Sequence, residues 1–543
     1  MAELNAAAGR GLYLGTQRTQ SAQRTQRKAK QTWDWLKEMI EMTEVSKDVS
    51  TKRVDQSALF ASFANFASFA SPIKRPGNAG RAVLAATLAL TLSACTVGPE
   101  YVRPEAQLAP GFDQAQGAAY PATAVASSVW ASFEEPELDA LIARALAANT
   151  SIAQALARLD ETRALAGLSF YSLFPTTRSR ADAERSDPSG EDPFTFEGQG
   201  RTDTYRAGFD LTWEIDLFGS LRRQKEAIDR EVEANEAAFH AVRLSVVAET
   251  AQAYFAWRGA QARLAVQQRN LANLEENIDI LRKQLDAGRG TELDVTRANA
   301  LGLQVAARLP QTGAEVVRQE QRLALLTAQP VSALREQLAP SRELPVLPAM
   351  VTVGTPEQWM ARRPDVREAD RRLAAAVSRI GVETAEFYPK LNLLGDFGAT
   401  AQSFGGLGDS AAQRWSFGPS LSWSFLDFGR VKQRVLAQQA RADGAIAAYQ
   451  ETWLKALEET ENALAGYRAA NESAAALETA VSESRKASEL ARMRFEAGAS
   501  DYLTVLDAER TLLDTEDQYA DASTRRATTL AALYKALAGD FAR

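Results

Sequence analysis

Few side chains in this 543-residue chain have reactive chemistry to offer: one thiol, one imidazole, and the carboxylates beside two glycine-containing turns. The thiol is Cys95, the imidazole is His240, and the carboxylates are Asp294 and Asp507. One Cys and one His supply no set of soft metal ligands, so no metal site is expected. His240 falls in a long helical stretch and is expected on its surface. The sequence carries no nucleophile elbow, no phosphate loop, no HExxH and no carboxylate pair that spacing alone can place in a cleft. No catalytic residue is therefore expected, and the chain does not read as an enzyme. Cys95 stands apart because of what precedes it. Lys74, Arg75 and Arg81 are followed by an apolar run from Ala82 to Ala94, a basic flank and roughly a dozen apolar residues, which is a secretory h-region too short for a permanent span. A thiol placed there reads as a covalent lipid attachment point, whereas a lone cysteine elsewhere reads as core. No other cofactor is expected. The two turns read Gly288-Arg-Gly-Thr291 and Gly498-Ala-Ser-Asp501, and Thr291 with Asp294 has capping-box spacing.

The elements that position these residues occur twice. Shifted by 210 residues, the chain superimposes on itself: Trp213, Phe218 and Gly219 fall on Trp423, Phe428 and Gly429; Arg282 falls on Arg492, Gly288 on Gly498, and Ala298 on Ala508. One supersecondary unit is used twice. Each copy opens with an alternating strand. Tyr205, Phe209, Leu211, Trp213 and Ile215 share one face, and Arg206, Asp210, Thr212 and Glu214 the other. In the second copy Trp415, Phe417, Leu421, Trp423 and Phe425 face one way, and Ser416, Ser420, Ser422 and Ser424 the other. Weaker alternating runs at Thr176 to Glu184 and Lys390 to Ala399 precede them, giving one hairpin per copy. Aromatic residues on the greasy face and a wet opposite face suit a transmembrane barrel better than a soluble sandwich, with Phe209, Trp213, Trp415, Phe417 and Trp423 facing lipid.

After each hairpin, Gly219 to Gly288 and Gly429 to Gly498 run about 70 residues without proline, predicting helices on the order of 100 Å long. Shorter helical runs are expected at Glu137 to Ser172 and Thr291 to Gln329, and at Glu357 to Phe387 and Asp501 to Ala538. Each pair matches one long helix in length, so two short helices can stack beside one unbroken one. Abundant alanine, including Ala227, Ala234, Ala237, Ala248 and Ala251, permits close packing. The expected organisation is a leader and signal peptide at 1–94, with 1–72 an unstructured or over-extended start; a lipidated segment at 95–135; repeat 1 at 136–329; a linker at 330–355; and repeat 2 at 356–543.

Residues 1–94 hold 13 Lys and Arg and 7 Asp and Glu; of 62 and 69 in the whole chain, 49 and 62 remain, leaving a mature chain near −13. Such a chain is a poor nucleic-acid binder, because phosphate contacts need clustered cations.

Leu92-Ser93-Ala94-Cys95 resembles a bacterial lipobox, whose cysteine becomes the lipidated first residue. Similar lipoproteins without Asp at the next position, here Thr96, are sorted to the outer membrane. Cys95-Thr-Val-Gly-Pro-Glu-Tyr-Val-Arg-Pro104, Arg362-Arg-Pro-Asp-Val-Arg367, Arg371-Arg-Leu-Ala-Ala-Ala376, Arg379-Ile-Gly-Val382, Tyr388-Pro389 and Tyr502-Leu-Thr-Val-Leu-Asp507 together resemble the TolC-like outer membrane efflux factors, in their NodT-type lipoprotein branch. The likeness runs from Cys95 to about Gly539. It implies a mainly α protein with a transmembrane β-barrel: a homotrimer whose four strands per protomer build a 12-stranded barrel in outer membrane lipids, continued by a 12-helix tunnel through the periplasm. It also implies partners, a periplasmic adaptor and an inner-membrane RND transporter, and a function as the exit duct for small toxic compounds. Physics requires an oligomer too, since four strands cannot close and an open edge in lipid costs several kcal/mol per unpaired group. By the same resemblance the tunnel closes at the turns of Gly288 and Gly498, with Asp294 and Asp507 near the constriction. Three carboxylates at one level would favour cations. Ser500 departs from relatives that carry Arg there, which puts a gate salt bridge of that kind in doubt. A type I secretion duct for proteins and a non-transport envelope protein are the alternatives.

Overall fold

The computed structural model describes residues 96–105, 109–115, 130, 133–187, 189, 201–338, 344–345, 347, 351 and 353–538. Cys95 and the 1–94 leader lie outside the described residues, as do 539–543.

The first repeat runs α1 (Pro136–Ala148), α2 (Thr150–Tyr171), β1 (Thr176–Ser186), β2 (Thr202–Ile215), α3 (Ser220–Asp286), α4 (Glu292–Ala306) and α5 (Leu309–Leu326). The second runs α7 (Pro356–Arg362), α8 (Pro364–Ala385), β3 (Lys390–Ala401), β4 (Gln413–Ser422), α9 (Phe428–Glu496) and α10 (Tyr502–Ala536), after a connecting helix α6 (Val331–Gln337). The long helices α3 and α9 contain 67 and 69 residues, about 100 Å each. In the wall, α2 with α4 and α5 lies along one side of α3, α8 and α10 lie between α3 and α9, and the two repeats thereby interlock.

Three expected helices are split, each for a local reason. Asn149 interrupts the first: its Oδ1 accepts the backbone N–H of Ser151 and Ile152, an N-cap that restarts the chain as α2. The run from Thr291 breaks at Ala307 and Arg308, just before Pro310, which sits in the first turn of α5. Pro364 at the first position of α8 ends α7, with Arg363 held extended. The run from Asp501 is unbroken. The 330–355 segment, expected as a linker, carries α6, whose Leu334 is fully buried, together with buried Val351 and Val353.

The four strands form one antiparallel sheet in the order β1-β2-β3-β4. The strand expected through Phe425 stops at Ser422; Trp423 and Phe425 therefore lie below β4, in the turn to α9. The largest apolar core sits midway along the helices, where Phe133, Tyr254, Phe255, Trp359 and Tyr534 are buried together. Within it the Trp359 indole donates to the Ala536 carbonyl at 2.7 Å, and Arg258, 1% exposed, lies 4.4 Å from the Trp257 ring centroid while pairing with Glu137. Burial of the Arg charge is compensated by that carboxylate.

Candidate functional site: a two-faced sheet, a capped tip and an outer strap

The register fixes the two faces of the sheet. Ser179, Phe209, Phe397 and Trp415 lie in one row across the four strands; Leu211, Gly395 and Phe417 form the next row toward the base, and Ile215, Leu391 and Leu421 lie two rows below that. Phe209, Phe397, Trp415 and Phe417 are all at least 60% exposed. Large exposed aromatics in contiguous rows need an apolar medium. Phe397 belongs with them and was not singled out in the sequence, because its strand alternates weakly. The opposite face carries Arg178, Arg180, Asp182, Arg206, Asp210, Asp396 and Arg414, where Arg206 pairs with Glu184 at 3.0 Å and Arg414 with Asp396. That face is built for water. Trp213 and Trp423 occupy a different depth from the exposed rows: their indoles donate at 3.0 Å to the carbonyls of Leu173 and Phe387, in the turns that enter β1 and β3. They clamp the helix–strand joints with an apolar body and a polar handle.

At the far end of the helices, both turns close in the same way. Gly288 and Gly498 have φ of +71° and +68°, the left-handed conformation glycine adopts without strain. Arg289 N–H then reaches Gln284 O, and Ala499 N–H reaches Arg494 O, both at 2.8 Å, ending α3 and α9 in Schellman-type caps. The next helices start with exchanged parts. In the first repeat Thr291 is the cap and its hydroxyl lies 2.6 Å from the half-buried Asp294 carboxylate; in the second, Asp501 is the cap and accepts the Thr504 hydroxyl at 2.7 Å. The hydrogen bond to Thr504 holds the Asp501 carboxyl below its ordinary range. Asp294 thus has the capping role its spacing suggests. Asp507 is exposed, one turn further into α10, and takes no part in the cap.

The residue at this end that spacing did not reveal is Glu509. It is 6% exposed on α10, and its Oε1 accepts Asn277 of α3 at 3.0 Å and Arg492 of α9 at 2.8 Å. One carboxylate joins three helices. The repeat contains the signal: Arg282 bonds Asn299 at 3.2 Å, as Arg492 bonds Glu509, each across 17 residues, but only the second copy uses a charge. Beside it, Tyr502 is buried with its hydroxyl unpartnered; burial, with Glu509 nearby, pushes that phenol up. Ser500 Oγ is also buried without a partner.

An extended N-terminal strap ties the sheet end to the helices. Val97 N–H donates to Phe218 O, and Arg223 of α3 donates to Val97 O at 3.2 Å. Gly98 lies so close to Gly381 of α8 that a Cβ on it would sit 2.4 Å from the Gly381 Cα. Tyr101 and Arg103 both reach Asp370, which is 2% exposed. Further along, the backbone N–H groups of Asp113 and Gln114 donate to the two oxygens of Glu461 on α9, and Arg468 donates to Gln114. The motif from Val97 to Pro104 is thus the start of a strap across α3, α8 and α9.

Among the described residues no single helix is long and apolar enough to cross a membrane. A protein-family model described as outer membrane efflux protein matches residues 141–329 and 355–539. Outer membrane protein OprJ of Pseudomonas aeruginosa is 33% identical over 470 residues, covering 84% of this chain and 95% of OprJ. Nodulation protein T of Rhizobium leguminosarum bv. viciae is 30% identical over 462 residues, covering 84% of this chain and 93% of that protein. The solved outer-membrane channel OprN superimposes with a TM-score of 0.77 at 38% identity, covering 82% of this chain and 99% of that one.

Proposed function

This chain belongs to the outer membrane efflux protein family, and we propose that three copies close into one conduit that passes small toxic compounds from an RND-type pump to the exterior. Its place is the cell outer membrane, with the helices extending into the periplasm. The observation that carries the closed trimer is the pairing of the sheet: β1 and β4 are each hydrogen-bonded on one side only, while the sheet bears exposed aromatic rows. In hydrocarbon each unpaired backbone group costs several kcal/mol, so β4 of one copy must pair with β1 of the next. Three copies give twelve strands with their charged faces inward.

The same reading assigns the remaining parts. Thr96 rests against Gly219, in the joint between β2 and α3, so a lipid on the preceding Cys95 enters the membrane at the base of the barrel. The tip of Gly288, Gly498, Asp294 and Asp507 serves as the gate, with Glu509 bracing it, and it receives a periplasmic adaptor linked to an inner-membrane transporter. A channel of this kind needs no cofactor beyond the covalent lipid and performs no catalysis. The test is reconstitution of the lipidated protein in planar bilayers with cross-linking of the assembled species. Ion current from a cross-linkable trimer is expected; a monomer that inserts without conducting would sink the proposal. In cells, deletion followed by profiling against drugs, solvents and metal salts identifies the cargo.

A further inference from the structure

Just below the sheet, a groove of about 490 Å3, lined mainly by apolar atoms, lies between α2 and α3, with Leu165, Leu168 and Tyr171 on α2 and Ile228 on α3. Gln224, Thr176 and the Glu231–Arg379 ion pair complete its rim. Thr176 also belongs to β1, on the face of Arg178 and Arg180, which places the mouth of the groove on the wet side of the sheet. The strap lies on the other side of the wall: on α8 it uses Asp370 and Gly381, and the groove uses Arg379. Two positions apart on a helix point about 200° apart. The groove therefore opens into the conduit.

Its inner wall holds an anomaly. Ser169 is 7% exposed, lines the groove, and has a hydroxyl with no hydrogen-bond partner. A buried hydroxyl left unmade costs more than a typical hydrogen bond contributes. The charges at the rim already satisfy one another, so the groove offers an apolar wall, one free hydroxyl and no net charge to a passing molecule.

We propose that this groove is a resting site for cargo inside the conduit, and that it takes uncharged, drug-sized molecules with an apolar ring and a hydrogen-bonding head that reaches Ser169. The proposal rests on the channel reading and deepens it by naming a cargo class. A volume of this order is that of a small-molecule site. The other candidate occupant is the face of a neighbouring copy.

Chloramphenicol, a neutral aromatic amide with hydroxyl groups, is a suitable probe. Ile228→Cys introduces a thiol into a mature chain whose own cysteine is the proposed lipid site. With the assembled, reconstituted trimer, the rate of its reaction with a water-soluble maleimide is measured against chloramphenicol concentration. Saturable protection is expected, and adding Ser169→Ala should weaken the apparent affinity about two- to tenfold. A thiol that reacts at the same rate at every chloramphenicol concentration would overturn the proposal. So would a thiol unreactive in the trimer but reactive in the monomer, because a neighbouring copy then fills the groove. Protection indifferent to Ser169→Ala would remove the hydroxyl's assigned role and with it the cargo class. Absence of current from the wild type is a separate result, which refutes the channel reading itself.

Discussion

Replacing Phe397 by Arg tests the face assignment where it is most costly to be wrong. Phe397 is six residues along β3 from Leu391, which lies in the base row with Ile215 and Leu421. At about 3.4 Å per residue and a tilt near 40°, six residues rise roughly 16 Å, close to the middle of an apolar band about 25 Å tall. An arginine on the lipid face at that depth costs about 2–4 kcal/mol. The barrel contains the residue three times, so the assembled channel loses on the order of 6–12 kcal/mol. Ser416→Arg is the matched control: Ser416 adjoins Trp415 in β4 but sits on the wet face, directly across from Asp396, where a cation is attracted. Refolding into lipid vesicles across a urea series measures both. Phe397→Arg should lower the insertion yield and the urea midpoint sharply, and Ser416→Arg should leave them near wild type. Equal tolerance at the two positions would refute the faces, and the barrel with them.

Glu509→Ala strands Asn277 and Arg492 at the tip and should loosen it by about 1–3 kcal/mol, seen as more frequent opening in bilayers and vancomycin sensitivity in cells; unchanged gating would remove Glu509 from the gate. Asp294→Ala with Asp507→Ala should raise conductance if both hold the gate, whereas a lower melting temperature at wild-type conductance would leave Asp294 as a cap alone. Cys95→Ser should abolish acyl labelling while the barrel still inserts, and a wild type without lipid whose N-terminus lies well upstream of Cys95 would contradict the anchor. Burial alone would raise the Asp517 carboxyl, but hydrogen bonds from Arg263 at 2.7 Å and Gln267 at 2.8 Å outweigh it and hold the carboxyl below its ordinary range. A depressed pKa gives stability that is complete above the unfolded value of about 4 and is lost as pH falls through the folded one. Asp517→Asn should therefore lower the melting temperature at pH 7, by an equivalent of about 1–3 kcal/mol, and the gap should shrink on acidification below about pH 4; a gap independent of pH would count against the ion pair.

The parts of this protein governed by local periodicity were legible in its sequence. Alternation at Tyr205 to Ile215 fixes a face whatever surrounds it, and a proline-free run rich in Ala, Glu and Arg has little choice but helix. Thr291 and Asp294 advertise a cap by spacing alone. Features that depend on distant partners were not legible. Trp423 continues the alternation of β4 in sequence yet lies beyond the strand, because Ser422 already pairs with Lys390, the first residue of β3, and the Trp423 indole bonds the Phe387 carbonyl instead. Glu509 reads as one more acidic residue on a polar helix until Asn277 and Arg492 arrive from two other helices. Asp294 and Asp507 look alike in type but hold different repeat positions: a shift of 210 residues sets Asp294 on Thr504 and Asp507 on Arg297. The structure accordingly gives one of them a cap and leaves the other on the surface.

The strap also sets an order on biogenesis. Tyr101 bonds Asp370 across 269 positions, Asp113 and Gln114 bond Glu461 across 348 and 347, and Gln114 accepts from Arg468 across 354. Tyr101, Asp113 and Gln114 thus wait for partners far downstream in the chain. During that interval Phe112, Trp130 and Phe133 lack Trp359 and Tyr534, aromatic partners they meet in the core. Loop closure over such distances is slow, and exposed aromatics in the interval invite aggregation. A truncation between Gly381 and Glu461 therefore leaves the strap held at Phe218, Arg223, Asp370 and Gly381 but loose at Asp113 and Gln114, so its second half is seated only once the chain is complete through Arg468.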